Sequence, residues 1–296
     1  MKRVFLFLAT NIAIMIALSL TTSLVLAFLG EPLEEFFGQW SHLVVFAFVF
    51  GMGGALISLL LSKPIAKFST GARVIDGSEG SAERWLVSTV EDLARRANIK
   101  TTEVAIYPGA ANAFATGAFK NSALVAVSTD IMGQMSKEEL RAVLGHEISH
   151  VANGDMVTLT LIQGVLNAFV ILFSRMIAHV VANAGNGERR RSSSPFLYMT
   201  IVWILEIALG IFAMMIVCAF SRRREYAADA GSARLLGTPS SMIAALRRLG
   251  NLQPGVLPDS LKAMGIAEGK RASLWSTHPS LDERIEALNS CAFTAN

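Results

Sequence analysis

The sequence predicts a mainly helical α+β protein carrying four hydrophobic membrane helices in two hairpins. Three observations predict it. Of 296 residues, 52% are hydrophobic and only 17% charged, with a mean hydropathy of +0.48, beyond the range of an ordinary soluble domain. Four apolar stretches, each long enough to cross a bilayer, come in two pairs. Two polar pieces, 63–155 and 221–296, follow the pairs, and in them helical spacing prevails over a few short β-prone runs. Together they are long enough for one core.

Lys2 and Arg3 precede Val4 to Leu29, a run without charge. Leu26 to Gly30 offers no small-x-small cleavage site, so the run reads as a membrane helix rather than a signal peptide. A second apolar run, about Leu43 to Leu61, contains Gly51, Gly53 and Gly54. These glycines either let two helices approach closely or are simply tolerated. Glu31, Glu34 and Glu35 lie between the runs, and Lys63 and Lys67 follow the second. Basic flanks prefer the cytoplasm, so residues 1–62 form an N-terminal hairpin with both ends inside.

Residues 63–155 form a first soluble part. Trp85, Leu86, Val90, Leu93 and Ala94 repeat at helical spacing within Ala82 to Asn98. Val104 to Tyr107 and Ala123 to Ser128 are β-prone runs between turn residues, hence strands. Ser136 and Glu139 match a capping box opening a helix that Asn153-Gly154 closes.

Residues 156–220 form the second hydrophobic hairpin, with apolar stretches at about Met156–Ala182 and Phe196–Phe220. Arg175, His179 and Glu206 lie inside it. Arg175 and His179 can snorkel towards the intervening loop. Glu206 is not so explained, and pairing with Arg175 across the hairpin is one reading. Arg189, Arg190 and Arg191 in the loop sit badly on an outer face, so full and partial insertion both fit.

Residues 221–296 form a second soluble part. Arg222-Arg223-Arg224 marks a cytoplasmic boundary. Thr238-Pro239 opens a helix that Gly250 closes, and Ser280 with Glu283 caps a last short one. The net charge of +3 is small and scattered, which argues against a nucleic-acid surface. Cys218 and Cys291 show no metal-ligand spacing and no disulfide framework.

The strongest chemical signal is His146-Glu147-Ile148-Ser149-His150. Two histidines four apart on a helix lie about 40° apart and can face one ion, with Glu147 close enough to reach a water beside it. This is the H-E-x-x-H arrangement of zinc peptidases. Ser136, Glu138, Glu139 and Arg141 open the helix in water, which argues against a motif sunk in lipid. Glu147 also argues against a purely structural site, which needs no base. A third ligand is required. Asn153 and Met156 stand where a third-histidine extension would need Gly and His, and Asp155 reads as too near the helix end to turn back. Glu225, with Asp229 one turn on, is better placed: Glu225 could ligate while Asp229 accepts a hydrogen bond from a ligating imidazole. From spacing alone, both could equally balance the neighbouring arginines.

Four segments occur in order: Asn112-Ala-Phe-Ala-Thr-Gly117, His146 to Asp155, Glu225-Tyr-Ala-Ala-Asp229 and Thr277-His-Pro-Ser-Leu-Asp282. With the two hydrophobic hairpins, this combination resembles the HtpX-type membrane zinc metalloproteases of bacteria, gluzincins related to the CAAX prenyl proteases. The resemblance implies a gluzincin-like protease domain with one Zn²⁺ per chain, Glu225 as third ligand beside His146 and His150, and a multi-pass inner-membrane protein with its protease domain facing the cytoplasm. It also implies cleavage of misfolded or damaged membrane proteins as stress-related quality control, with polypeptides and the lipid bilayer as partners and no nucleic acid. Glu147 is the expected general base. His278, by the same resemblance, lies near the substrate and is the candidate donor to the tetrahedral oxyanion; a surface or capping histidine is the alternative. Asn112, Ala113 and Phe114 are candidate substrate-binding residues: an edge strand there would hold an extended chain through backbone hydrogen bonds. A plain turn of small residues is the alternative. Arg284, on the helix that follows, could orient a substrate carbonyl, but an ordinary surface arginine is the favoured reading.

Overall fold

A computed structural model describes residues 38–100, 102–183, 195–252 and 274–290, with position 266 and positions 16, 20, 21, 23, 24 and 27. Most of the predicted first membrane helix, the acidic loop after it, the Arg189–Arg191 loop and Cys291 lie outside the described residues. The chain divides into two compact units. One comprises Met1–Ser58 with Thr160–Ile216, the other Leu59–Leu159 with Val217–Asn296.

Three helices among the described residues carry apolar stretches long enough to cross a membrane. They are α1 (Ser41–Leu60), preceded by a 3-10 turn at Gly38–Trp40, α6 (Asp155–Asn183) and α7 (Pro195–Leu236). In the first unit their lipid-type faces remain exposed, as with Phe48, Phe169, Trp203 and Ile207. Gly51 resolves the question its sequence left open. A Cβ there would sit 2.6 Å from Ala168 Cα in α6, so only glycine permits this approach of α1, whereas Gly54 faces open space. Arg175 and Glu206 do pair, Nη1 to Oε1 at 2.7 Å, and the guanidinium also lies over the Phe46 ring. We expect Arg175→Glu and Glu206→Arg each to destabilise the hairpin by about 1 kcal/mol or more. The double swap should recover most of that loss in a thermal unfolding series in detergent; no recovery would show that the pair is not coupled.

The second unit holds α2 (Ser62–Thr70), β1 (Arg73–Ile75), α3 (Ser81–Arg96), β2 (Thr102–Tyr107), β3 (Ala113–Thr116), β4 (Ala123–Ser128), α4 (Thr129–Gln134), α5 (Lys137–Asn153), α8 (Ser240–Asn251) and α9 (Leu281–Ser290). The C-terminal part of α7 belongs to it as well. Four strands among the described residues form one sheet in the order β1-β2-β4-β3, with β2 and β4 parallel and the other pairings antiparallel. Alternation sorts their side chains. Val104, Ala113, Ala115, Val125 and Val127 join the main core with α3, α5 and α8, while Ala105, Tyr107, Phe114, Leu124 and Ala126 form a small cluster with Ala66 of α2 on the other face.

Local chemistry explains why α5 starts and stops where it does. Ser136 and Glu139 form a reciprocal capping box, and Gly154 ends the helix with φ of 70°. Leu140 and the whole run from Ala142 to Val151 are buried, because the sheet, α3, α7 and α8 cover the helix on several sides. The polar motif therefore lies inside the unit. One element differs from the sequence reading in extent: α7 continues without a break through Arg222–Arg224 to Leu236, so the apolar stretch and the acidic segment after it share a single helix.

Candidate metal centre

Two helices bring the donors together. Helix α5 supplies His146 and His150, and the last part of α7 supplies Glu225 and Asp229. Their approach depends on small residues. Ser232 Oγ donates to the Ala142 carbonyl at 2.7 Å, and a Cβ on Gly145 would meet Ser232 Oγ at 2.8 Å. Gly231 faces the Ser149 side chain as closely. Larger residues here would push Glu225 away from the imidazoles.

Ligand atoms of His146, His150 and Glu225 all lie within 4.8 Å of one another, and all three residues are buried. The Nε2 atoms of the histidines face each other at 3.0 Å; His150 Nε2 is 3.2 Å from Glu225 Oε1, and His146 Nε2 is 3.5 Å from Glu225 Oε2. Each imidazole is held from behind by its own carboxylate. His146 Nδ1 meets Asp229 Oδ1 at 2.9 Å, and His150 Nδ1 meets Asp155 Oδ2 at 2.5 Å. The arrangement in which both Nδ1–H groups donate to carboxylates leaves both Nε2 lone pairs facing the same point, which a cation would satisfy. Both oxygens of Glu147 and Oε2 of Glu225 are also buried without a hydrogen-bond partner among the described residues. Two imidazoles, one carboxylate and an adjacent free carboxylate fit a divalent metal with an open coordination position. Burial pushes the Glu147 carboxyl above its ordinary range.

Two contributors were not legible in sequence. Asp155 does not turn back to the ligand cluster, but the left-handed Gly154 folds it under His150, so it holds that ring instead. Arg284 is no surface residue. It is 1% exposed and grips Asp229 with Nε to Oδ2 at 2.8 Å and Nη2 to Oδ1 at 2.7 Å. Its Nη1 is 3.4 Å from Glu225 Oε2. Burial opposes the Asp229 charge, but the guanidinium outweighs it and holds the carboxyl below the usual range. The only sequence signal for Arg284 was its place one turn after the Ser280 cap of α9.

His278 is buried, with Nδ1 2.8 Å from Glu225 Oε2, yet neither ring nitrogen has an aligned hydrogen-bond partner among the described residues. Asn112, Ala113 and Phe114 lie at and within β3, which pairs with β4 along one side. Asn112 Oδ1 accepts from the Ala113 N–H at 2.9 Å. Phe114 points away from the main core and packs on Tyr107, so only its backbone can meet a ligand at this edge. The Ala113 carbonyl already accepts from the Ile266 N–H at 3.1 Å. At the other end of β3 a small cleft opens beside His150, walled by Gly117, Phe119, Met156 and Val157.

The chain matches Peptidase family M48 over residues 81–292. It is 52% identical over 289 residues to a protease HtpX homolog of Paracidovorax citrulli (strain AAC00-1), a match covering 97% of this chain and 98% of that one. It is 50% identical over 295 residues to a protease HtpX homolog of Janthinobacterium sp. (strain Marseille), covering 98% and 99%. Among solved structures, the crystal structure of S. mikatae Ste24p is similar with a TM-score of 0.59 at 18% identity; that match covers 95% of this chain and 65% of that chain. At that identity the likeness concerns the fold.

Proposed function

The chain belongs to peptidase family M48 and is an HtpX-type membrane metalloprotease, and from that premise we propose that it is a zinc endopeptidase of a bacterial inner membrane, with its protease part facing the cytoplasm, hydrolysing misfolded or damaged membrane proteins under stress. The observation that carries this reading is the convergence of His146, His150 and Glu225 beside the buried carboxylate of Glu147. The cytoplasmic orientation is supported by Lys63 and Lys67 after α1 and by Arg222–Arg224.

His146, His150 and Glu225 would hold the ion. Bound there, Zn²⁺ would supply Lewis acidity towards the scissile carbonyl and lower the pKa of water towards neutrality. Glu147 accepts the proton of the attacking water and delivers it to the leaving amine. Asp229 and Asp155 fix the tautomer and orientation of the two imidazoles. His278, buried beside Glu225 with no aligned hydrogen bond on either ring nitrogen, is the donor to the oxyanion as the carbonyl becomes tetrahedral. An extended substrate pairs with the edge of β3 through backbone groups, which suits the loose sequence preference that quality control requires. Because Ile266 occupies the Ala113 carbonyl, such a strand pairs from Ala115 onward or displaces that contact.

Chelation tests the metal requirement. Detergent-solubilised protein should lose cleavage of an unfolded substrate on treatment with a chelator and regain it on addition of stoichiometric Zn²⁺. Full activity in metal-stripped protein, verified by elemental analysis, would overturn the reading.

A further inference from the structure

Leu274 and Trp275 are 67% and 48% exposed, although they belong to the compact second unit. The backbone around them is nevertheless fixed. Cys218 Sγ donates to the Trp275 carbonyl at 3.4 Å, and Arg222 Nη1 donates to the carbonyls of Ser276 at 2.9 Å and Leu274 at 3.4 Å. Both anchors lie on α7, one helical turn apart, where the apolar stretch ends at Phe220 and Arg222–Arg224 begin. A membrane helix crosses the water–lipid boundary at such a change from apolar to arginine, and Trp prefers that layer because its ring is apolar and its N–H polar.

We propose that Leu274–Trp275 is a membrane-seating loop that rests in the interfacial layer of the lipid bilayer alongside the end of the α7 apolar stretch. The occupant follows from continuity: the loop is bonded to a helix whose apolar part is already a membrane segment, at the level where that part ends. Of the other exposed apolar side chains of the same unit, Phe68 soon after α1 and Val157 in the first turn of α6 lie close in sequence to the ends of apolar helices, whereas Val74 and Phe119 do not. Seating has a consequence for the metal centre. His278 follows Trp275 by three residues, a span of at most about 11 Å. The bilayer thereby fixes the depth of the segment that carries His278 against Glu225. The link to His278 rests on the function proposed above; the seating itself does not.

The test uses a full-length variant with Trp275 as sole tryptophan (Trp40→Phe, Trp85→Phe, Trp203→Phe) in nanodiscs. Its emission should be quenched by lipids brominated near the head end of the acyl chain and should be protected from aqueous acrylamide. Quenching by acrylamide without quenching by the lipid would place the loop in water and overturn the proposal. Resistance to both would mean a protein surface covers it, which overturns it equally. A second variant keeps the question open to refutation if the first fails to fold. Leu274→Ser/Trp275→Ser should lower cleavage of a bilayer-embedded substrate about tenfold. With a soluble unfolded substrate in detergent it should stay close to the parent protein. Equal loss in both assays, or loss in neither, would overturn the seating role, whereas a parent protein inactive in both would count against the proposed function and leave the fluorescence result to decide the seating.

Discussion

Glu147→Gln is expected to abolish peptide-bond cleavage while the protein keeps its metal. The two residues have nearly the same size and shape, so the packing around α5 should survive. Glu147 is not among the three groups whose ligand atoms converge, so the donor set of His146, His150 and Glu225 is unchanged. What is lost is the ability to take and return a proton. General acid–base groups contribute about 10²–10⁴-fold in rate, so turnover should fall by at least about 100-fold. The neutral amide costs less to bury than a carboxylate at this fully enclosed position, so the variant should unfold at a temperature no lower than the parent protein. Metal content by elemental analysis, unfolding midpoint and turnover on an unfolded substrate, measured together, separate the possibilities. Cleavage at the parental rate would remove Glu147 from the chemistry, and loss of the metal would make it a ligand rather than a base.

Arg284→Met should carry the largest cost in stability. The guanidinium is 1% exposed and makes two parallel hydrogen bonds to Asp229, which in turn holds His146. Removing one partner of a buried ion pair leaves the other charge uncompensated, at about 3–5 kcal/mol. Lysine cannot reproduce the two-pronged contact, so Arg284→Lys should recover little. Arg284→Met/Asp229→Asn removes the orphaned charge as well and should be more stable than Arg284→Met alone. Because Asp229 then no longer fixes the His146 ring as a carboxylate, that double variant should still bind the metal about 10–100-fold more weakly. Thermal unfolding and metal competition in detergent read the two effects separately. An Arg284→Met protein as stable as the parent would show that the buried pair is not what holds α9 and α7 together at the site.

Much of this architecture could be read from the chain because its causes are local. The capping box at Ser136, the left-handed stop at Gly154 and the burial of Leu86, Val90 and Leu93 on one face of α3 arise within a few residues of each other. The apolar, β-prone runs that form β2 and β4 are equally local. The short elements β1, α2 and α4 were not evident, since three to nine residues give too little periodicity to detect. The cytoplasmic boundary at Arg222–Arg224 is crossed by one continuous helix, because three arginines are good helix formers and nothing in that stretch interrupts the backbone bonding.

The sequence by itself determined the membrane class, the mainly helical α+β character and the pair of imidazoles on one face of α5, since hydropathy, period and a four-residue spacing are properties of contiguous chain. Only the tertiary structure decided which acids stand behind those imidazoles. Asp229 reaches His146 because Gly145, Ser149, Gly231 and Ser232 let two helices cross closely, and Asp155 reaches His150 because a left-handed glycine reverses the chain between them. The burial of Arg284 likewise depends on where α9 docks. These contacts join residues far apart in sequence or across a sharp turn, and no periodic pattern along the chain encodes a distance in space.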